Sequence, residues 1–343
     1  MASLVGIGNP LLDISVVCDE ALLEKYGLKN ADAILAEEKH FPLFDELISG
    51  GTFTPEYIAG GATQNSVRVA QWMMQDAGAT AFLGCVGKDA NGETLRKCAA
   101  ADGVDVHYLQ DEAAPTGLCA TLVVDSDRSL CTRLDAANNY ALAHLETEGQ
   151  PLLDAAKLVY SSGFHLTVSP DGMLKAATEC KDSAEKQYAL NLAAPFLMQV
   201  PPFWAAMNTL LPLSDFVFGN EDECDTFADA MKWDKADRKA VALQLAALPK
   251  DGPGDRVVVI TQGLDPVIVA TAGVATEYPI VPIAKDKLVD TNGAGDAFVG
   301  GFLAGVLKKV PLDKSVAAGI YASSVIVQTS GTKLPATPPS HTL

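Results

Sequence analysis

Short apolar runs alternate along this chain with segments of helical length. "LVGIGN" gives way to "DEALLEKYG", where Asp19 predicts an N-cap and Gly27 a C-terminal stop. "TAFLGCVG" leads into "DANGETLRKCAAADG", and "KLVYSSG" into "SPDGMLKAATECKD". "QYALNLA" precedes "PPFWAAMNTLL", "DFVFGN" precedes "EDECDTFADAM", and "RVVVITQG" ends the series. Strands apolar on both faces, each followed by a helix, predict an α/β chain: a mostly parallel central sheet with helices on both sides.

Two regions break that rhythm. Residues 28–60 carry short, partly polar runs around one helix, "EEKHFPLFDELI". Residues 117–134, "GLCATLVVDSDRSLCTRL", read as a hairpin turning at Asp125 to Ser129. Together they predict a small β-rich lid inserted at one edge of the sheet. Open α/β sheets bind ligands beyond the carboxyl ends of their strands. Asn9, Gly163, Asn191, Asn220, Gly263 and Asp296 all fall at or just after such ends.

Composition narrows the partners. A chain of 343 residues can bury a large core as a single domain with an accessory part. The net charge of −18 argues against a nucleic-acid surface or an anionic membrane, and leaves room for a phosphorylated ligand held by local donors. Cys18, Cys85, Cys98, Cys119, Cys131, Cys180 and Cys224 are odd in number and form no C-x-x-C pair. They read as reduced thiols of a cytoplasmic protein rather than a metal cluster. The N-terminus lacks the basic region of a signal peptide. Gln187 to Ser214 is uncharged, but Pro195, Pro201, Pro202 and Pro212 interrupt it, so it reads as strand, loop and helix rather than a membrane span.

Near the C-terminus, "VDTNGAGDAFVGGFLAGVLKK" sets Gly293 and Gly295 before Asp296 and then enters an apolar helix whose first turn falls at Ala294 to Asp296. First-turn amides lack intrahelical acceptors and carry partial positive charge, and glycines let an anion approach them. A carboxylate there either caps the helix or faces a reacting group; the helix field makes it a weak base. In "GGATQNSVRVAQWM", Gly60 and Gly61 open a second helix. They make either a plain turn or a backbone brought close to a small polar ligand, with Asn65 as donor and acceptor. No G-x-x-x-x-G-K-[ST] is present, and no G-x-G-x-x-G follows the first strand, which removes the main support for a P-loop enzyme or a dinucleotide dehydrogenase.

These two motifs resemble the paired signatures of the ribokinase-like (phosphofructokinase-B-type) carbohydrate and nucleoside kinases. "GNPLLDIS", "LAEEKH", "HLTVSP", "NLAAPF" and "FGNEDE" extend the resemblance from about residue 6 to about 330, in the order and spacing of the members that phosphorylate adenosine. The resemblance implies a ribokinase-like three-layer α/β/α fold and a single domain over 1–343, its lid formed by about 14–61 and 115–137. It implies transfer from ATP to the adenosine 5′-hydroxyl, giving AMP and ADP in purine salvage, with Mg²⁺, by a monomer. Asp296 becomes the base, and the amides of Gly293, Ala294 and Gly295 become the anion hole, with Arg128 able to swing from the hairpin turn onto the phosphates. Asp13, Asn65, Gly60, Gly61 and Asn9 are implied at the ribose, Leu11, Leu35, Leu134 and Phe164 at the purine, and Cys119 and Asn292 complete the substrate set. Asn191, Thr261 and Gly263 line the ATP groove, and Asn220 with Glu223 orders Mg²⁺ through water.

Without the resemblance, Asp13 reads as a solvated residue at a strand end and His165 as a satisfied, partly buried imidazole. Ala33 and His165 stand where a glutamine and a second aromatic are common in those kinases. A preference for inosine or guanosine therefore stays open, as do a sugar kinase of the same fold and a catalytically silent nucleotide-binding protein. The intact Gly293–Asp296 turn, Asn220 and Glu223 argue against the silent protein.

Overall fold

The computed structural model describes the chain except residues 1, 31, 125, 126, 182, 184, 285 and 286, with backbone alone at 33 and 127. In chain order the strands are β1 Leu4–Ile7, β2 Leu11–Val17, β3 Ala33–Leu35, β4 Glu56–Gly60, β5 Thr80–Gly87, β6 Asp105–Asp111 and β7 Leu118–Val124. They continue as β8 Asp127–Arg133, β9 Leu158–Ser162, β10 Gln187–Asn191, β11 Phe216–Asn220, β12 Val257–Gln262, β13 Asp265–Thr271 and β14 Val274–Tyr278. Among the described residues they form a nine-stranded sheet, β14-β13-β12-β11-β10-β9-β1-β5-β6, and a five-stranded sheet, β3-β8-β7-β2-β4.

From β12 across to β6 every pairing in the large sheet is parallel. Its strands are apolar on both faces because both faces are covered. Leu4, Phe82 and Tyr160 pack into one core with the helices Ala62–Met74, Ala294–Leu307 and Leu312–Ile326. Val5, Leu83 and Val159 pack into another with the helices Pro170–Lys181, Pro201–Leu210 and Glu221–Met231. The helix Glu20–Tyr26 ends as its sequence predicts: Asp19 accepts from the amide of Leu22, and Gly27 takes φ 65°. The uncharged stretch is β10, a short helix and the helix Pro201–Leu210. No helix among the described residues is long and apolar enough to cross a membrane.

Four features differ from the sequence pattern. The large sheet continues past β12 into an antiparallel hairpin, β13–β14, whose two-residue loop puts Ala272 and Gly273 at positive φ; this turn geometry lacks the usual Asn-Gly signal. The helix expected over 37–48 is a 3₁₀ turn, Glu38–His40, followed by an α-helix, Phe41–Ser49, which starts afresh at Pro42 because proline has no amide hydrogen to continue a ladder. The small sheet begins at Leu11, so Asp13 lies within a seven-residue strand rather than at a strand end. Arg128 and Ser129 are on β8, paired with Val123 and Leu122, and do not form a turn; positions 125 and 126 lie outside the described residues.

One buried cation ties the edge of the large layer together. Arg256 is 1% exposed, and its guanidinium donates to the carbonyls of Leu211, Ser214, Leu245, Leu248 and Pro249. It satisfies the ends of two helices and the segment entering β11. Arg256→Met should remove all five donors while keeping much of the volume. We expect a loss of more than about 3 kcal/mol in urea unfolding, since each stranded buried acceptor costs roughly 1–3 kcal/mol.

Candidate active site

The parallel strands of the large sheet deliver polar residues to one end. Asn191 closes β10, Asn220 closes β11 and Thr261 lies near the end of β12. With Ser162, Phe164, Glu223, Gly293, Gly295 and Asp296 they line one cavity. This is where an open α/β sheet has unpaired strand ends and loops free to vary.

Asp296 enters from the first turn of the helix Ala294–Leu307. Gly293 caps that helix at φ 75°, and a Cβ there would fall 2.3 Å from the buried hydroxyl of Thr332, so only glycine fits. A Cβ on Gly295 would meet nothing within 4 Å, which leaves its backbone open to the cavity. The amide of Ala294 donates to the carbonyl of Thr291 at 3.2 Å; those of Gly295 and Asp296 are first-turn donors with no intrahelical acceptor.

Desolvation pushes the pKa of Asp296 up to about 7, while a hydrogen bond from Asn65 Nδ2 to its Oδ2, at 3.0 Å, opposes the shift and the charge of Glu223 adds to it. The helix field alone predicts a weak base. Withdrawal of water outweighs it and leaves a carboxylate that titrates near neutral pH.

The second carboxylate comes from the small sheet. Leu35, Thr132, Cys119, Asp13 and Ile58 are register partners in one row across β3, β8, β7, β2 and β4, so their side chains share a face. The hydroxyl of Thr132 donates to the sulfur of Cys119 at 3.2 Å along that row. Leu12, Ile14 and Val16 point the other way into the core, while Leu11 lies on Asp13's face. Leu11 and the carbonyl of Leu134 both press against Gly117. Asp13 is likewise raised to about 7, first by desolvation, with Arg68 lowering it and Asp296 and Asp290 raising it.

Gly60 and Gly61 are crowded by the protein itself. A Cβ on Gly60 would fall 2.2 Å from the Asp13 carboxylate, and one on Gly61, at φ 94°, would fall 2.1 Å from the carbonyl of Asn9. The glycines thus make room for the Asp13 carboxylate and the Asn9 carbonyl. Leu35, on the edge strand, is 67% exposed, and Phe164 is partly exposed beside Phe196.

Asn220 and Glu223 form a reciprocal cap. Glu223 accepts from the amide and the side-chain nitrogen of Asn220, and Asn220 Oδ1 accepts from the amide of Glu223 at 2.9 Å. The N-x-x-E spacing therefore has a helix-capping job as well as a place in the cavity. Burial lifts Glu223 to about 7. Asn191 Oδ1 accepts from the amide of Ala193. Gly263, at φ 56°, lies just beyond the lining residues near Glu221, and Asn292 is exposed, its amide donating to Asp290. No group of three acidic, histidine or cysteine side chains able to hold a metal occurs among the described residues.

The structure also gives Arg128 and His165 partners that the sequence did not show. Arg128 is 5% exposed and sits with its Nε 3.2 Å from Asp290 Oδ2, so the small sheet meets the loop that leads to Asp296. Asp290 accepts from the amides of Asn292 and Gly331 as well. His165 is fully buried and held neutral, its pKa pushed down to about 3; Nδ1 lies 2.6 Å from Asn9 Oδ1, while Nε2 has no partner. Only the first signature's length could have flagged Arg68, and nothing in the sequence flagged Thr332.

A carboxylate that titrates near neutrality, next to bare first-turn amides and close enough to a second carboxylate to raise it, suits the movement of a phosphoryl group onto a hydroxyl; the class is that of an alcohol phosphotransferase. The chain belongs to the pfkB family of carbohydrate kinases, whose model matches residues 20–338. It is 49% identical over 337 residues to adenosine kinase 2 of Arabidopsis thaliana, covering 98% of this chain and 96% of that one. The solved adenosine kinase of Anopheles gambiae, in complex with P1,P4-di(adenosine-5) tetraphosphate, superposes with TM-score 0.86 at 44% identity over 96% of each chain. That of Schistosoma mansoni, in complex with adenosine and AMP, does so with TM-score 0.85 at 33% identity over 97% of this chain and 98% of that one.

The raised base has a stability cost with a definite sign. Folded Asp296 keeps its proton up to about 7, against an ordinary value of 3.8, so between those values the folded state binds more protons than the unfolded one. Its contribution is fully present below about 3.8 and is lost as pH rises through 7. Asp296→Asn should therefore raise the thermal midpoint at pH 8, by a few degrees, and change it little at pH 4; an equal change at both values would mean that the carboxylate is not desolvated.

Proposed function

We propose that this protein is an adenosine kinase, transferring the γ-phosphoryl group of ATP to the 5′-hydroxyl of adenosine to give AMP and ADP. The identity to plant adenosine kinase across nearly the whole chain supports the nucleoside. The observation that carries the chemistry is Asp296, a desolvated carboxylate with a pKa of about 7, set on the same helical turn as unpaired amides.

In this reading Asp296 accepts the hydroxyl proton late in a loose transition state, and the amides of Gly293, Ala294 and Gly295 hold the charge on the transferring oxygens. The Ala294 amide must give up its bond to Thr291 to take part. Asp13 accepts from the vicinal ribose hydroxyls, with Asn9, Gly60, Gly61 and Asn65 around it, while Leu11, Leu35, Cys119, Leu134 and Phe164 surround the purine and Asn292 closes the substrate side. Asn191, Asn220, Glu223, Thr261 and Gly263 face the ATP. Mg²⁺, when bound with ATP, supplies charge neutralisation on the phosphates. Asn220 and Glu223 fit a role one water removed from it, since their polar atoms are already engaged in the cap and magnesium keeps much of its water shell. Arg128 leaves Asp290 for the phosphates as the small sheet closes.

The chain acts as one domain whose lid spans about 14–61 and 115–137, extended to the start of β2. It acts as a monomer in this reading, and seven free cysteines support a reducing, cytoplasmic setting.

The test is ATP-dependent phosphorylation across a panel of adenosine, inosine, guanosine and simple sugars; adenosine should be used far faster than the rest. A preference for a sugar would overturn the assignment. Asp13→Ala should weaken adenosine by about 1.5–3 kcal/mol, with much less effect on ATP, and flatten discrimination against 2′-deoxyadenosine. Equal losses for both nucleosides would remove Asp13 from the ribose.

A further inference from the structure

Asn65 donates to Asp296, and its amide is itself held in place. Arg68, three residues on along the helix Ala62–Met74, is 2% exposed and on the same helical face. Its Nη1 donates to Asn65 Oδ1 at 3.3 Å and to the carbonyl of Ala59 in β4; its Nε donates to Asp102 Oδ2 at 2.6 Å. A carboxamide has one accepting end and one donating end. Guanidinium on the oxygen of Asn65 therefore leaves its Nδ2 facing Asp296 Oδ2, at 3.0 Å. Rotating the amide would set oxygen against carboxylate and nitrogen against guanidinium, two repulsive contacts in place of two attractive ones.

We propose that Arg68 is a positioning residue for phosphoryl transfer: anchored by Asp102 and by the end of β4, it orients Asn65 and through it the carboxylate of Asp296. The inference rests on the reading of Asp296 as the base. Arg68 need not touch the substrate. One guanidinium links the small sheet, through Ala59, to Asn65 and so to the reacting carboxylate, so a shift of β4 is felt at Asp296 through two side chains, Arg68 and Asn65. A lysine could not replace it fully, because one ammonium cannot keep the three directions of a planar fork.

A purely structural Arg68 would tie the helix to Asp102 and lower activity, if at all, independently of Asn65. The two roles separate in a double-mutant cycle on the full chain, with kcat/KM for adenosine and KM for ATP measured in Arg68→Met, Asn65→Ala and the double variant, beside Asp296→Asn. Arg68→Met should lower kcat/KM for adenosine roughly 10- to 100-fold, the scale of a misplaced reacting group, while KM for ATP stays within about twofold. In the Asn65→Ala background the same substitution should cost less than about threefold. Where Arg68→Met does not fold, judged by circular dichroism, Arg68→Lys carries the same cycle. An unchanged kcat/KM, or the same loss in both backgrounds, overturns the proposal. Turnover retained by Asp296→Asn would overturn the base reading; an inactive Asp296→Asn with an additive cycle would overturn this inference alone.

Discussion

The site depends on keeping water away from a carboxylate at a helix N-terminus. Left solvated, Asp296 would be held acidic by the helix field and would be a poor acceptor for a hydroxyl proton. Packing removes much of that water, leaving Asp296 only partly exposed. The helix it starts is buried from Ala297 to Gly305, between the helices Ala62–Met74 and Leu312–Ile326. Gly300 and Gly301 permit that closeness, since a Cβ on either would fall 2.4 Å from a backbone oxygen of a neighbouring helix. Core packing thus fixes where the first turn ends, and the turn fixes where the base and the bare amides stand.

Asp13, Glu223 and Asp296 each sit at about 7, with desolvation as the leading cause; the charge of Asp296 raises Asp13 further, and that of Glu223 raises Asp296. Three such groups oppose folding at neutral pH, so their retention together is better explained by chemistry than by stability. The cationic side chains near them are few and buried: Arg68 beside Asn65, and Arg128 on Asp290. A chain of net charge −18 can still hold a phosphate where the attraction is local, as at the first-turn amides beside Asp296.

Much of the fold was legible because its parallel strands are apolar on both faces and end in small or polar residues, as in "KLVYSSG" and "DFVFGN". The small sheet was harder. Its strand β2 carries Asp13 in the middle, and its first residues follow Pro10 directly from β1, so "NPLLDIS" reads as a loop motif until register pairs Asp13 with Cys119 and Ile58. The hairpin β13–β14 lacked the usual turn residues. Motif spacing pointed to Asp296, Asn65, Asn220 and Glu223, and the structure brings Asn65 to Asp296 and Asn220 to Glu223. Spacing could not give the pKa of Asp296, which depends on burial by residues far away in sequence, nor the Arg128–Asp290 contact, which joins positions 162 apart.

The central claim is that burial turns Asp296 into a base matched to neutral pH. The most direct measurement is the pH dependence of kcat/KM for adenosine, with ATP saturating and Mg²⁺ in excess, since the acid limb of that profile reports groups of the ATP-bound enzyme that adenosine meets. The account predicts a rate that falls below about pH 7, with a slope steeper than one proton because Asp13 and Glu223 titrate in the same range. A profile that stays level from pH 8 down to pH 5 would contradict it.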